Sequence, residues 1–186
     1  IEGEGTSRIT IQGQNIKNYK EVNTQSYEVI GDRIEAATYI IAGLMTKSCI
    51  TVSNFNPEHL DDVLKTLTQM GAKLERENRS VTVGESFILK GAKVETAPYP
   101  GFPTDVQAQM MALMGVVKGN SLVSEQIFEN RFMHVPELKR MGMKIELDGH
   151  NAFIEGECEL SGAPVMCTDL RAVSYTHLTL PTTSFV

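Results

Sequence analysis

The sequence predicts an α/β fold built from repeated units, with apolar helices inside and sheets outside. Two observations carry that prediction. First, Leu67-Thr-Gln-Met-Gly-Ala-Lys-Leu-Glu75 matches Leu138-Lys-Arg-Met-Gly-Met-Lys-Ile-Glu146, so the chain repeats at a period of roughly 70 residues, too long for most solenoids. Second, Asp32 and Asp105 each open a run that is apolar on nearly every face, and Asp169 begins a similar third copy in Thr168-Asp169-Leu170-Arg171. A helix without a polar face must be surrounded by other structure, which places the sheets on the outside.

The first unit, near residues 28–90, reads element by element. Residues 33–46 form a buried helix with Asp32 as its N-cap. Cys49 to Ser53 alternates and is β-branched, as a strand requires. Asn56-Pro57 reads as an N-cap followed by the first helical residue. Leu60, Val63, Leu64, Leu67 and Met70 then recur at helical spacing, leaving Asp61, Asp62, Lys65 and Thr68 for solvent. Gly71 closes that helix through a left-handed C-terminal turn. Residues 73–76 and 80–83 pair as a hairpin across Glu77-Asn78-Arg79.

The second unit, near residues 91–160, repeats the order. Val106 to Val117 is its buried helix, capped by Thr104 or Asp105, and Met110, Met111 and Met114 are core packing. Ser121 to Glu125 is a strand and Pro136 to Met141 a short amphipathic helix. Lys144 to Leu147 and Ala152 to Ile154 close the unit as a hairpin around Asp148-Gly149.

Composition narrows the function classes. The chain has 186 residues, of which 41% are hydrophobic, enough for one domain with a real core or two small ones. A net charge of −6, with the 17 basic residues in no long run, argues against an electrostatic grip on nucleic acid. No apolar stretch approaches the roughly 18 to 20 residues of a membrane span, and no signal peptide is read. Cys49, Cys158 and Cys167 cannot all pair and lack the short spacing of a zinc site, which suits a reducing cytoplasm. No metal site, glycine-rich phosphate loop or cofactor is expected.

Two stretches carry chemistry beyond packing. Thr96 to Gln109 holds Pro98, Pro100 and Pro103 before Thr104-Asp105, so a stiff loop delivers one carboxylate to a helix start. Phe128 to Leu138 crowds Phe128, Glu129, Asn130, Arg131, Phe132 and His134 together, a mixture that few core segments need. Together they suit a polar, charged small molecule. Read alone, Asp105 is a helix cap, the commonest fate of an Asp at such a site, Phe128 to His134 a packed turn with surface charge, Asp169 and Arg171 an ordinary ion pair, and His134 a structural hydrogen-bonding residue. His59 and His150 read as exposed.

At these residues, and at Asp32-Arg33-Ile34-Glu35 and Leu160-Ser161-Gly162-Ala163 with Thr168 to Ala172, the sequence resembles the enolpyruvyl transferases, specifically the UDP-N-acetylglucosamine 1-carboxyvinyltransferases. The resemblance is collinear over residues 1–172. It implies an inside-out α/β barrel of βαβαββ units, here a partial domain of about two units with the third truncated. It also implies a reaction, transfer of the enolpyruvyl group of phosphoenolpyruvate to the sugar 3-hydroxyl with release of phosphate, an early step towards peptidoglycan.

By resemblance Asp105 lies at that hydroxyl, as general base or aligner. The resemblance also implies that Ile127 contacts the nucleotide sugar largely through its backbone, with Phe128, Glu129 and Arg131 in the adjoining loop. It places Asp169 and Arg171, which match the family's Asp-Leu-Arg, along the catalytic cleft, where a forked guanidinium suits an anionic donor. The family's reactive loop cysteine, Lys-Asn pair and most phosphate-binding arginines belong to regions that the sequence does not contain, and no cysteine here occupies the loop position. Residues 173–186, rich in Thr and without helical period, read as foreign to the family.

Two other functions share these features, a non-catalytic sugar-nucleotide-binding domain and a 5-enolpyruvylshikimate-3-phosphate synthase-like enzyme. The run from Phe128 to His134 favours the nucleotide-sugar enzyme. Because the donor-side residues are missing, the 186-residue chain alone should release no phosphate from phosphoenolpyruvate and UDP-N-acetylglucosamine. A phosphate-release assay checks this, and turnover above background would contradict it.

Overall fold

Both helices that are apolar all round lie back to back in the centre of the computed structural model, α1 (Arg33–Met45) against α3 (Gln107–Val116). The structure describes residues 1–3, 8–13, 26, 28–85 and 88–166. Ala37, Ile40, Met110, Met111, Leu113 and Met114 are completely buried, which is why neither helix carries a polar stripe. A polar contact crosses between them: Gln109 Nε2 donates to Thr38 Oγ1 at 3.0 Å, while that hydroxyl donates to the Ile34 carbonyl at 2.8 Å.

Each central helix is backed by its own sheet. In the first unit β1 (Ile50–Ser53), β2 (Leu74–Arg76) and β3 (Ser80–Val83) form an antiparallel sheet in the order β1-β3-β2. Its register sets Ile50 opposite Val83 and Val52 opposite Val81 on the inward face. On the outward face Thr51 and Thr82 meet hydroxyl to hydroxyl at 2.9 Å.

The second unit holds β4 (Lys93–Glu95), β5 (Ser121–Ser124), β6 (Ile145–Asp148) and β7 (Asn151–Ile154), ordered β4-β5-β7-β6. Only the β4–β5 pairing is parallel, as a crossover through α3 requires. Val94, Val123, Ala152 and Ile154 point inward and Phe153 outward. With α4 (Val135–Arg140) the unit reads βαβαββ in chain order, and β5-β7-β6 repeats the arrangement of β1-β3-β2. The strand β4 was not anticipated from the sequence.

The amphipathic helix of the first unit starts as a 3-10 turn over Pro57–Leu60, capped by Asn56 Oδ1 on the Glu58 amide, and continues as α2 (Asp61–Gln69). The repeated Met-Gly pair ends α2 and α4 in the same way. Gly71 has φ of +106° and Gly142 of +104°. Ala72 and Met143 donate back to the carbonyls of Leu67 and Leu138, and the two glycine amides to Thr68 and Lys139. This is the Schellman arrangement, which returns the chain directly into the next strand.

Asp32 caps α1 as expected, accepting from the amides of Ile34 at 2.7 Å and Glu35 at 3.3 Å. The expectation that Thr104 or Asp105 caps the second buried helix is corrected. A 3-10 turn over Thr104–Val106 precedes α3, with Pro103 and Val106 at the two cap positions and neither giving a side-chain cap. Asp32 and Asp105 are therefore not equivalent: one caps its own helix, the other lies inside the turn. Two further readings shift slightly: β1 begins at Ile50 rather than Cys49, and His59 is part-buried, its ring 3.3 Å from Asn56 Nδ2. Cys167, Asp169, Arg171 and the segment 173–186 lie outside the described residues.

Replacing Gly71 or Gly142 by Ala forces a side chain into positive φ and brings its Cβ to 2.9 Å of the Ile88 carbonyl oxygen or 2.8 Å of that of Glu159. Urea denaturation of either variant should show a loss of roughly 1–3 kcal/mol. Wild-type stability would contradict the assigned turns.

Candidate functional site

The two stretches singled out in the sequence meet at one end of β5. The proline loop leaves β4 and turns at Pro98–Gly101, closed by Gly101 N–H on the Pro98 carbonyl at 2.8 Å, with Tyr99-Pro100 cis. Phe102, 2% exposed, anchors the loop in the core, and Thr104–Val106 then leads into α3. Residues 127–134 leave the end of β5 and reach α4. The loop also touches the first unit, where the Arg33 guanidinium stacks 5.2 Å from the Tyr99 ring centre.

Asp105 and Arg131 come together across these two loops. Arg131 Nη2 donates to Asp105 Oδ1 at 2.9 Å, and Nη1 donates to Thr104 Oγ1 at 2.9 Å. The guanidinium lies 4.8 Å from the Phe128 ring centre, so one planar cation is held on three sides. The pair is partly sheltered, with side-chain exposures of 32% for Asp105 and 16% for Arg131. Ile127, Phe128 and Glu129 are exposed along the same rim. The structure thus gathers Asp105, Ile127, Phe128, Glu129 and Arg131 at one place, while Asp169 and Arg171 lie outside the described residues.

One residue of this site was read only as a strand end. Glu125 follows β5 and is 1% exposed, yet its carboxylate accepts from five donors. Oε1 takes Thr96 Oγ1 at 2.8 Å and the amides of Ile127 at 2.9 Å and Phe128 at 3.2 Å. Oε2 takes Thr104 Oγ1 and Gln107 Nε2, each at 2.8 Å. The sequence signal available was a lone acid directly after the short strand Ser121–Ser124.

His134 is buried and its Nε2 sits 3.4 Å from Met111 Sδ, in keeping with a structural role. Glu137 also faces inward and accepts from Arg140 Nη1 and the Met166 amide, both at 2.9 Å. Away from the site, Glu155 holds the Lys144 ammonium above the usual lysine value, chiefly through their 2.7 Å hydrogen bond. A broad cleft of about 800 Å³ opens near that pair, lined in part by Asn120, Lys139, Lys144 and Phe153, and does not include Asp105 or Arg131. No cluster of metal-ligating side chains occurs among the described residues.

The family model for EPSP synthase (3-phosphoshikimate 1-carboxyvinyltransferase) matches residues 1–179. The chain belongs to this family. Among curated relatives, the UDP-N-acetylglucosamine 1-carboxyvinyltransferase of Desulfosudis oleivorans is 48% identical over 172 residues, which is 92% of this chain and 40% of that protein. The enzyme of the same name from Campylobacter hominis is 49% identical over 174 residues, 94% of this chain and 41% of that protein. The chain therefore spans about 40% of the length of the curated relatives it matches.

Solved structures agree on the fold. The enolpyruvyl transferase NikO from Streptomyces tendae superposes with a TM-score of 0.72 at 24% identity, over 81% of this chain and 36% of that one. An EPSP synthase from Acinetobacter baumannii gives 0.63 at 19% identity, over 82% of this chain and 39% of that one. The α/β fold expected from the repeat is thus that of the enolpyruvyl transferases. Among the described residues two units are present, and no helix is long and apolar enough to cross a membrane.

Proposed function

We propose that this chain forms the acceptor-sugar wall of a UDP-N-acetylglucosamine 1-carboxyvinyltransferase, with Asp105 at the reacting hydroxyl. The observation that carries the proposal is the convergence of Asp105, Arg131 and the rim at Ile127–Glu129 on one edge of the second unit. The names of the relatives favour UDP-N-acetylglucosamine over shikimate 3-phosphate as acceptor. In the proposed reaction the sugar 3-hydroxyl loses its proton as it attacks phosphoenolpyruvate, and phosphate leaves.

Asp105 suits that step in two ways. A carboxylate has about four acceptor sites, so it can receive the sugar hydroxyl while Arg131 stays bound to Oδ1. The clamp by Arg131, itself fixed to Thr104, holds the carboxylate in one orientation, which favours alignment of the hydroxyl as much as removal of its proton. The Ile127 amide is already used by Glu125, so a backbone contact from Ile127 to the sugar falls to its carbonyl. Asp169 and Arg171 are assigned to the catalytic cleft, with the Arg171 guanidinium for the anionic donor and intermediate. Product would enter peptidoglycan precursor synthesis, a cytoplasmic pathway.

The test places this chain's segment in the Desulfosudis oleivorans relative, in place of its matching 172 residues, and compares Asp105→Ala with the unmutated chimera. Phosphate release should fall on the order of 10²-fold or more. A near-normal rate would remove Asp105 from the chemistry.

A further inference from the structure

We propose that Glu125 is a positioning residue for the acceptor sugar, setting the Ile127–Phe128 backbone with one carboxylate oxygen and the Asp105–Arg131 pair with the other. This rests on the reading above, that those residues meet UDP-N-acetylglucosamine. Every donor to Glu125 belongs to the proline loop, the start of α3 or the loop after β5. These are the segments that carry the site. Packing alone would be met by an apolar side chain of similar volume, because taking a carboxylate out of water is costly unless its lone pairs are filled.

A carboxylate only accepts, so every hydrogen bond to Glu125 runs toward it. Thr104 Oγ1 accepts from Arg131, so its own proton goes to Glu125; Thr96 Oγ1 accepts from the Gln126 amide at 2.8 Å and likewise passes its proton on. The Ile127 and Phe128 amides can only donate. As arranged, all five partners donate, which suits a carboxylate, an acceptor only, better than a carboxamide. In Glu125→Gln the new NH2 group is driven to the Oε2 side, where Gln107 must turn its amide over and Thr104 Oγ1 must accept from it on its second lone pair, turning its own proton away while still receiving Arg131. The perturbation thus travels through Thr104 to Arg131 and Asp105. Thr96→Val, by contrast, removes one donor on the Oε1 side together with the acceptor of the Gln126 amide, and leaves the Thr104 chain intact.

The test is a titration of the full 186-residue chain with UDP-N-acetylglucosamine, followed by amide NMR, for wild type, Glu125→Gln and Thr96→Val. The wild type should show saturable shifts. Among folded molecules, Glu125→Gln should weaken the dissociation constant about tenfold and Thr96→Val about threefold, the range expected for losing hydrogen bonds that hold a binding group. A purely structural residue would lower the folded fraction and leave the affinity of folded molecules unchanged. No saturable shift in the wild type would overturn the functional reading itself. Binding by the wild type with unchanged affinity in both folded variants would overturn the positioning role alone. Loss of a folded spectrum in both would also overturn it, making Glu125 a residue of stability.

Discussion

Five hydrogen bonds converge on the buried Glu125 carboxylate, and the geometry of the site depends on them. A buried carboxylate is tolerable only when its acceptor sites are filled by donors. Filling them ties the proline loop and the first residues of α3, which continue from it, to the loop that follows β5. The ties run over 29, 21 and 18 residues of sequence to Thr96, Thr104 and Gln107. Because Thr104 also receives Arg131, the network extends outward to the exposed rim. The acidic side chain at the surface, Asp105, is thus placed by a second acid that solvent hardly reaches.

That network is only as rigid as the scaffold beneath it. The two central helices share a polar clasp, Gln109 to Thr38, which fixes their mutual register more specifically than apolar contacts do. Each amphipathic helix ends in the same Schellman turn, so each hairpin is launched from the same geometry against its central helix. The stacking of Arg33 on Tyr99 joins the first unit to the proline loop. The site is therefore carried by one unit and steadied by the other.

Much of this was legible in the sequence because it rests on local rules. The apolar runs, the Met-Gly turns, the Asn56 and Asp32 caps and both hairpins follow from periodicity and from residues within four positions of one another. The strand β4 was missed because three residues, Lys93, Val94 and Glu95, give too short an alternation to register. Asp105 was read as a cap because an Asp before an apolar helix looks the same whether it turns to its own helix or to an Arg 26 residues away. Glu125 was missed for the same reason: most of its partners lie far along the chain, and nothing local to Ser121–Glu125 reports them. The resemblance to the enolpyruvyl transferases located the rim residues, and the structure supplied what holds them there.

The most direct test of the acceptor-wall assignment is a crystal structure of this chain with UDP-N-acetylglucosamine. The assignment predicts the hexose between Asp105 and Ile127, its 3-hydroxyl within hydrogen-bonding distance of the Asp105 carboxylate, roughly 2.6–3.2 Å. A sugar seated instead in the cleft beside Lys139 and Lys144, with Asp105 untouched, would contradict it.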